Sequence, residues 1–318
     1  MRHDHLSNES GLSRRTILRA GITSAAAWKL QRAAWALGFT ARGSAVCNPT
    51  PEQTVGPYYI AEEMLRWDIR EGKPGLLLAL RLLVMDSRTC KPLPQAAVEV
   101  WHCDALGLYA GFTKMNPLGM GPDGAPPHSG ANWEHPPGPT PGFDPQHPGN
   151  RPAPPEGMGP PPAVRPADEL TFLRGIQFTD STGRIAFATV FPGFYTGRTN
   201  HIHFKVRLGG KVVSRKGSDK QMTYIESHTS HIGQIFFPEE LTQRLMHAAP
   251  YNSHSIHRTR QAEDDIFQEQ HGTESLAKLN LANEDRPEAG YVAELIVAVD
   301  PTKTAAGVGM GGPPASRM

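Results

Sequence analysis

Residues 172–206 read FLRGIQFTDSTGRIAFATVFPGFYTGRTNHIHFKV. Three apolar runs lie in this stretch: Gly175–Phe178, Ile185–Val190 and the first part of His201–Leu208. Each is rich in β-branched or aromatic residues and is bounded by Gly, Pro, Asp or Asn, a composition that reads as strand. Residues Thr179-Asp180-Ser181-Thr182-Gly183 supply a turn between the first two. Side chains alternate along a strand, so His201 and His203 project from one face with Cα atoms about 6.5 Å apart. Ile202 and Phe204 then line the opposite face. Two imidazoles side by side are either ligands for one metal or polar groups on a solvated strand face.

Similar runs occur at Leu76–Met85, Ala96–Trp101, Ile232–Phe237 and Tyr291–Val299. One helix is predicted over Pro238–His247, opened by proline and two glutamates. Many strands and little helix predict an all-β protein, an antiparallel β-sandwich with few short helices and long loops. The chain has 318 residues, ample for a buried core. Its net charge of +1 argues against a nucleic-acid-binding stripe or an acidic partner.

The main domain is expected over 47–300, flanked by segments of other composition. Ser13-Arg14-Arg15-Thr16-Ile17-Leu18-Arg19 precedes a small-residue run, Ala20 to Trp28. Residues 1–40 thus resemble a twin-arginine export signal, a receptor-read address and not a membrane anchor. The alternative is a basic amphipathic tail on a cytoplasmic protein. No stretch is long and apolar enough to span a bilayer as a helix. Residues 115–166 are so rich in proline and glycine that they form an insertion, either disordered or looped over the mouth of a site. Residues 301–318 read as a disordered tail. The cysteines Cys47, Cys90 and Cys103 are too few and scattered for a disulfide scaffold or a zinc finger.

The company of the histidine pair matters more than the pair itself. Tyr195 follows Pro192-Gly193-Phe194, and Arg198 stands three residues before His201. Upstream, Thr54-Val55-Gly56-Pro57-Tyr58-Tyr59 sets two tyrosines on a Gly-Pro turn. Ionising a tyrosine at neutral pH costs about 4 kcal/mol, because its pKa is near 10. A hard trivalent cation supplies that more readily than a softer divalent one. Two tyrosines with two histidines therefore point to ferric iron. Elsewhere, His102 reads as a hydrogen-bonded core or rim group, and His128, His135 and His147 as solvated residues of the insertion. His228 and His231 lack ligand spacing.

The segments TPEQTVGPYYI (50–60), CKPLPQAAVEVWHCDALGLYAGF (90–112), the stretch quoted first and IGQIFFP (232–238) resemble the intradiol ring-cleavage dioxygenases. These are non-haem Fe(III) enzymes typified by catechol 1,2-dioxygenase and protocatechuate 3,4-dioxygenase. The resemblance runs from about residue 47 to 300, apart from the insertion, and is closest to an exported branch. It implies iron ligands at Tyr59, Tyr195, His201 and His203, with Gly56-Pro57 spacing favouring Tyr59 over Tyr58. It also implies active-site roles for Arg198 and Gln234. Val55 stands where the family has an acidic residue, and Arg198-Thr199-Asn200 where it has Arg-Pro-Ala. Neither departure touches a ligand. Cys47 and Cys90 each lie just before a family motif, and in an exported protein they could pair.

The reaction so implied joins a catechol-type aromatic substrate and O₂. The ring opens between its two hydroxylated carbons to give a muconate-type diacid, with one Fe(III) per chain as cofactor. Tyr59 would be the lasting ligand and Tyr195 the one displaced by substrate, and a homo-oligomer is compatible with the family. Two rival classes are a zinc or copper enzyme using His201 and His203 with a carboxylate, and a sandwich without turnover that binds aromatics or polysaccharide.

Overall fold

The computed structural model describes residues 47–114 and 166–306. Residues 1–40, expected to be an export signal, nearly all of the insertion and the tail beyond 306 lie outside the described residues. Eleven strands dominate the described residues: β1 (Leu77–Asp86), β2 (Lys91–Pro92), β3 (Ala97–Trp101), β4 (Arg174–Phe178), β5 (Arg184–Val190) and β6 (His201–Leu208). They are followed by β7 (Lys211–Arg215), β8 (Ser218–Ile225), β9 (His228–Phe236), β10 (Lys278–Leu281) and β11 (Tyr291–Val299). Two short helices, α1 (Glu239–Leu245) and α2 (Asp265–Glu269), and several 3₁₀ turns complete the described residues.

The strands form an all-β sandwich. One sheet runs β10-β11-β1, with β5 and β2 sharing the far side of β1; the other runs β4-β3-β6-β9. Alternation explains which faces meet. Leu78, Leu80, Leu82 and Val84 of β1 point the same way as Ala293, Leu295 and Val297 of β11. They pack against Val98 and Val100 of β3, Ile202, Phe204 and Val206 of β6 and Ile235 of β9. Fully burying each large apolar side chain contributes about 1.5–3 kcal/mol. Register is thereby fixed, since a slip of one residue along β6 would turn His201 and His203 inward.

Most pairings are antiparallel, but β1 and β11 run parallel over nine residue pairs, Leu78 opposite Tyr291 through Asp86 opposite Val299. The hairpin β7–β8 stands apart from both sheets. Its sequence gives no apolar alternation because little of it is buried: Val212 is 45% exposed, and Tyr224 is its main anchor. Residues 301–306, expected in a disordered tail, are instead bonded to the body: Ala305 N–H donates to the Thr229 carbonyl at 2.9 Å. Among the described residues no helix is long and apolar enough to cross a membrane.

The outer face of the second sheet carries polar groups. Trp101 of β3 lies opposite His203, and Glu99 opposite Lys205. On the other side of β6, Gln234 lies opposite His203. Residues 50–69 form a strap joined to this body at several points: Thr50 N–H donates to Ala298 O and Gln53 N–H to Ile232 O. Just ahead of the strap, Cys47 is disulfide-bonded to Cys90.

Candidate metal centre

His201 and His203 sit side by side at the start of β6, each 1% exposed. Their Nε2 atoms are 3.1 Å apart. The Nδ1 of His201 lies 2.6 Å from the Thr199 carbonyl, which can only accept, so Nδ1 holds the proton and Nε2 keeps its lone pair. His203 is held differently. Its ring stacks on Trp101 at 4.9 Å with planes 5° apart. On another side the strap presses against it at Gly56, where a Cβ would lie 3.0 Å from Cε1. Any other residue would crowd the ring there, and φ of +70° at that position favours glycine as well. Burial drives both imidazoles well below the ordinary histidine range, and Arg198 adds to the effect.

Two phenols reach the same point. Tyr195 lies on the loop between β5 and β6, its Oη 3.4 Å from His201 Nε2. Tyr109 lies on the turn after β3, and its Oη is also 3.4 Å from His201 Nε2. The two loops meet at Gly193, whose N–H donates to the Asp104 carbonyl at 3.1 Å. A Cβ on Gly193 would come within 2.4 Å of that oxygen. Asp104 in turn ties its own turn, accepting from the N–H groups of Leu106 and Leu108 at 3.0 Å each. Burial raises both phenol pKa values, while Arg198 opposes the rise at each.

Tyr59, expected as a ligand, is not at the centre. Its hydroxyl lies 3.4 Å from Glu99 Oε2, where it donates, and Lys205 Nζ sits 3.1 Å over its ring. The reason lies in the outer face of β3 and β6. Glu99 is fully buried and takes Arg207 Nη1 at 3.1 Å and the Tyr59 hydroxyl as partners. Its neighbour Tyr58 turns toward the centre, stacking on Tyr109 at 4.6 Å and meeting Tyr195 edge-on at 5.9 Å. The tyrosine that sequence reading missed is thus Tyr109. It lay in view within LGLYAGF, a glycine-bounded turn leaving the strand that pairs with β6.

Arg198 lies close beside Tyr195, its N–H donating to the Tyr195 carbonyl at 3.2 Å. Its guanidinium spans two partners: Nε donates to Asp264, and Nη2 to Oε1 of Gln234. Gln234 is fully buried, and its side-chain amide donates to the Thr54 carbonyl at 2.9 Å. Gln53 Oε1 accepts its backbone N–H at 2.6 Å. Arg198 is therefore both a salt-bridged group and a cation beside the phenols. Arg174, also buried, joins the strap to the tyrosine turn. Its Nη2 donates to Tyr58 O at 2.7 Å and Ala110 O at 2.8 Å, and its Nη1 to Glu63 at 3.3 Å.

The remaining histidines stand apart. His102 is satisfied by Cys103 O and Thr189 Oγ1 at 2.8 and 2.7 Å. His228 meets Thr304, and His231 is buried against Phe204. His128, His135 and His147 lie outside the described residues. Cys103 is a buried free thiol.

The donor set tests which metal could sit here. Among the described residues, no group of three or more His, Cys, Asp or Glu side chains is placed to hold an ion. The two imidazoles thus have no carboxylate or thiolate to complete them, only phenols. Bonds of about 2.1 Å put donors at right angles about 3.0 Å apart, and tetrahedral ones about 3.4 Å apart. The observed 3.1 and 3.4 Å separations fall in that interval. Phenols held neutral by burial need a strongly charged cation to ionise, and the set fits Fe(III) in that respect.

No protein-family model matches this sequence, and no curated protein sequence matches it. Solved structures do. An intradiol ring-cleavage dioxygenase from Tetranychus urticae is 27% identical over 82% of this chain and 98% of its own, with a TM-score of 0.58. A second dioxygenase crystal structure is 28% identical with the same coverage and a TM-score of 0.57. The dioxygenase domain of a carbohydrate-binding fusion from Streptomyces sp. SirexAA-E matches at 19% identity over 80% of this chain and 99% of that one, TM-score 0.44. In fold and along most of its described length, this chain is similar to the intradiol ring-cleavage dioxygenases.

Proposed function

We propose that this chain is a non-haem Fe(III) dioxygenase that opens a catechol-type ring between its two hydroxylated carbons, using O₂, to give a muconate-type diacid. The observation that carries the reading is the meeting of two phenols and two imidazoles around one point, with no carboxylate among them. His201, His203, Tyr109 and Tyr195 would hold the metal. Bound Fe(III) would act as a Lewis acid that binds the catechol as its dianion and makes the ring reactive toward O₂.

The protein's own groups do the rest. Tyr195 would be the ligand that substrate displaces, since it lies on a loop beside exposed Thr196 and Gly197. Its phenolate oxygen would then accept a proton from a catechol hydroxyl. Tyr109 stays, since it is 2% exposed and stacked under Tyr58. Arg198, fixed at both ends, offers positive charge to the electron-rich ring as negative charge develops.

Export through the twin-arginine route belongs to this reading. The disulfide Cys47–Cys90 supports it, because such bonds persist in oxidising compartments.

Metal analysis and oxygen uptake with catechol, protocatechuate, hydroxyquinol and a caffeoyl ester test the function. The expected result is a reddish protein with a single iron per chain and oxygen consumed with at least one of these. Stoichiometric zinc in a colourless, active sample would overturn the reading.

A further inference from the structure

A carboxylate that no sequence motif singled out stands behind the metal centre. Asp264 is fully buried and precedes α2, whose first turn it caps: Oδ1 accepts the N–H groups of Ile266 and Phe267 at 2.9 and 3.2 Å. A cap requires no more than that. Yet both oxygens also accept from Nε of Arg198, each at 3.1 Å. Oδ2 further accepts the N–H of Thr199 at 2.9 Å. The carbonyl of that same Thr199 receives the proton of His201 Nδ1.

One carboxylate therefore holds two adjacent residues that lead to different parts of the centre. Through Arg198 it sets the cation beside Tyr195. Through Thr199 it sets the carbonyl that fixes the tautomer and the aim of His201. It also neutralises a guanidinium that would otherwise be a buried, half-paired charge. Gln234 holds the other end of that guanidinium but carries no charge to match it.

We infer that Asp264 is a positioning residue for the proposed ring cleavage, acting on substrate through Arg198 and on the metal through Thr199 and His201. This rests on the reading of the centre given above. Asp264→Ser separates the roles. Serine still caps α2 but is too short to reach Arg198, so the helix keeps its start.

The test uses the full iron-loaded chain and three measurements: thermal midpoint, iron release to a chelator, and visible titration with 4-nitrocatechol. Asp264→Ser should keep a cooperative thermal transition, release iron several-fold faster, and bind 4-nitrocatechol about tenfold more weakly, as a misplaced group does. In an Arg198→Ala background the same change should weaken 4-nitrocatechol binding by less than about twofold, because the group it positions is gone. Faster iron release should persist there, since that effect runs through Thr199.

A full, additive loss of catechol binding in the Arg198→Ala background would overturn the inference, as would a variant that matches wild type. If Asp264→Ser does not fold, Asp264→Asn enters the same comparison, retaining volume but facing N–H donors with its own. Wild-type protein that takes neither iron nor 4-nitrocatechol would instead overturn the proposed function.

Discussion

Tyr58, Tyr59, Tyr109 and Tyr195 have one side-chain chemistry and three different surroundings. Replacing Tyr59, Tyr109 and Tyr195 in turn by phenylalanine should sort them. Tyr59→Phe loses only a long hydrogen bond to Glu99, so iron content and colour should stay near wild type. Tyr109→Phe removes the buried, lasting anionic oxygen, so iron retention should fall first. Tyr195→Phe should keep iron and lose part of the colour, with turnover falling more than catechol affinity because the base is missing. Iron analysis and visible spectra on the set decide this; a colourless Tyr59→Phe would restore the sequence assignment. A second residue-scale expectation concerns acid. Burial lowers His231 from 6.5 to about 4, and its Nε2 has no hydrogen-bond partner within the protein. Below pH 6.5 the unfolded chain binds a proton that the folded chain refuses. Stability is thus intact above that pH and is lost as pH falls toward 4, by about 1.4 kcal/mol per unit. His231→Phe, stacking on Phe204 in the same way, should flatten the denaturation free energy against pH by that slope.

At the scale of elements, the site is a joint between a sheet face and three loops, and Arg174 of β4 is its pin. Removing that guanidinium takes from buried Glu63 its hydrogen-bond partner and frees the carbonyls of Tyr58 and Ala110. Arg174→Met should cost about 3–5 kcal/mol in a denaturant titration and should reduce iron content. A loss under about 1 kcal/mol with full iron would mean that the strap is held elsewhere. The strands that build the sandwich were legible because their alternation is driven by burial: Leu78 to Val84 and Ile202 to Val206 announce a core. The histidine pair was legible by the same period of two. Tyr109 was harder, because its place depends on Gly193 meeting Asp104, a contact between loops far apart in sequence. Asp264 was harder still, since one acidic residue ahead of a five-residue helix carries no pattern. The hairpin β7–β8 escaped notice because exposed strands need no apolar rhythm.

At the scale of the whole molecule, export and oxidation should travel together. Replacing Arg14 and Arg15 by lysine should trap the protein inside the cell, and there Cys47 and Cys90 should stay reduced. Thiol counting on denatured protein should then find all three cysteines, against Cys103 alone in the exported form. An unchanged compartment and thiol count would make residues 1–40 a mere tail. The parallel pairing of β1 with β11 adds a constraint in time. A ribosome releases β1 with its row of leucines bare, and the strand that must lie beside it comes out only after the nine strands between them. Contacts of such long sequence separation make folding slow and place its completion after synthesis. A chain stopped after Asp285 should remain open to protease, whereas one ending at Ala306 should resist it; a resistant shorter chain would refute this order. His201 and His203 thus leave the ribosome well before the sandwich behind them can close, and a metal centre built on them must wait for β11.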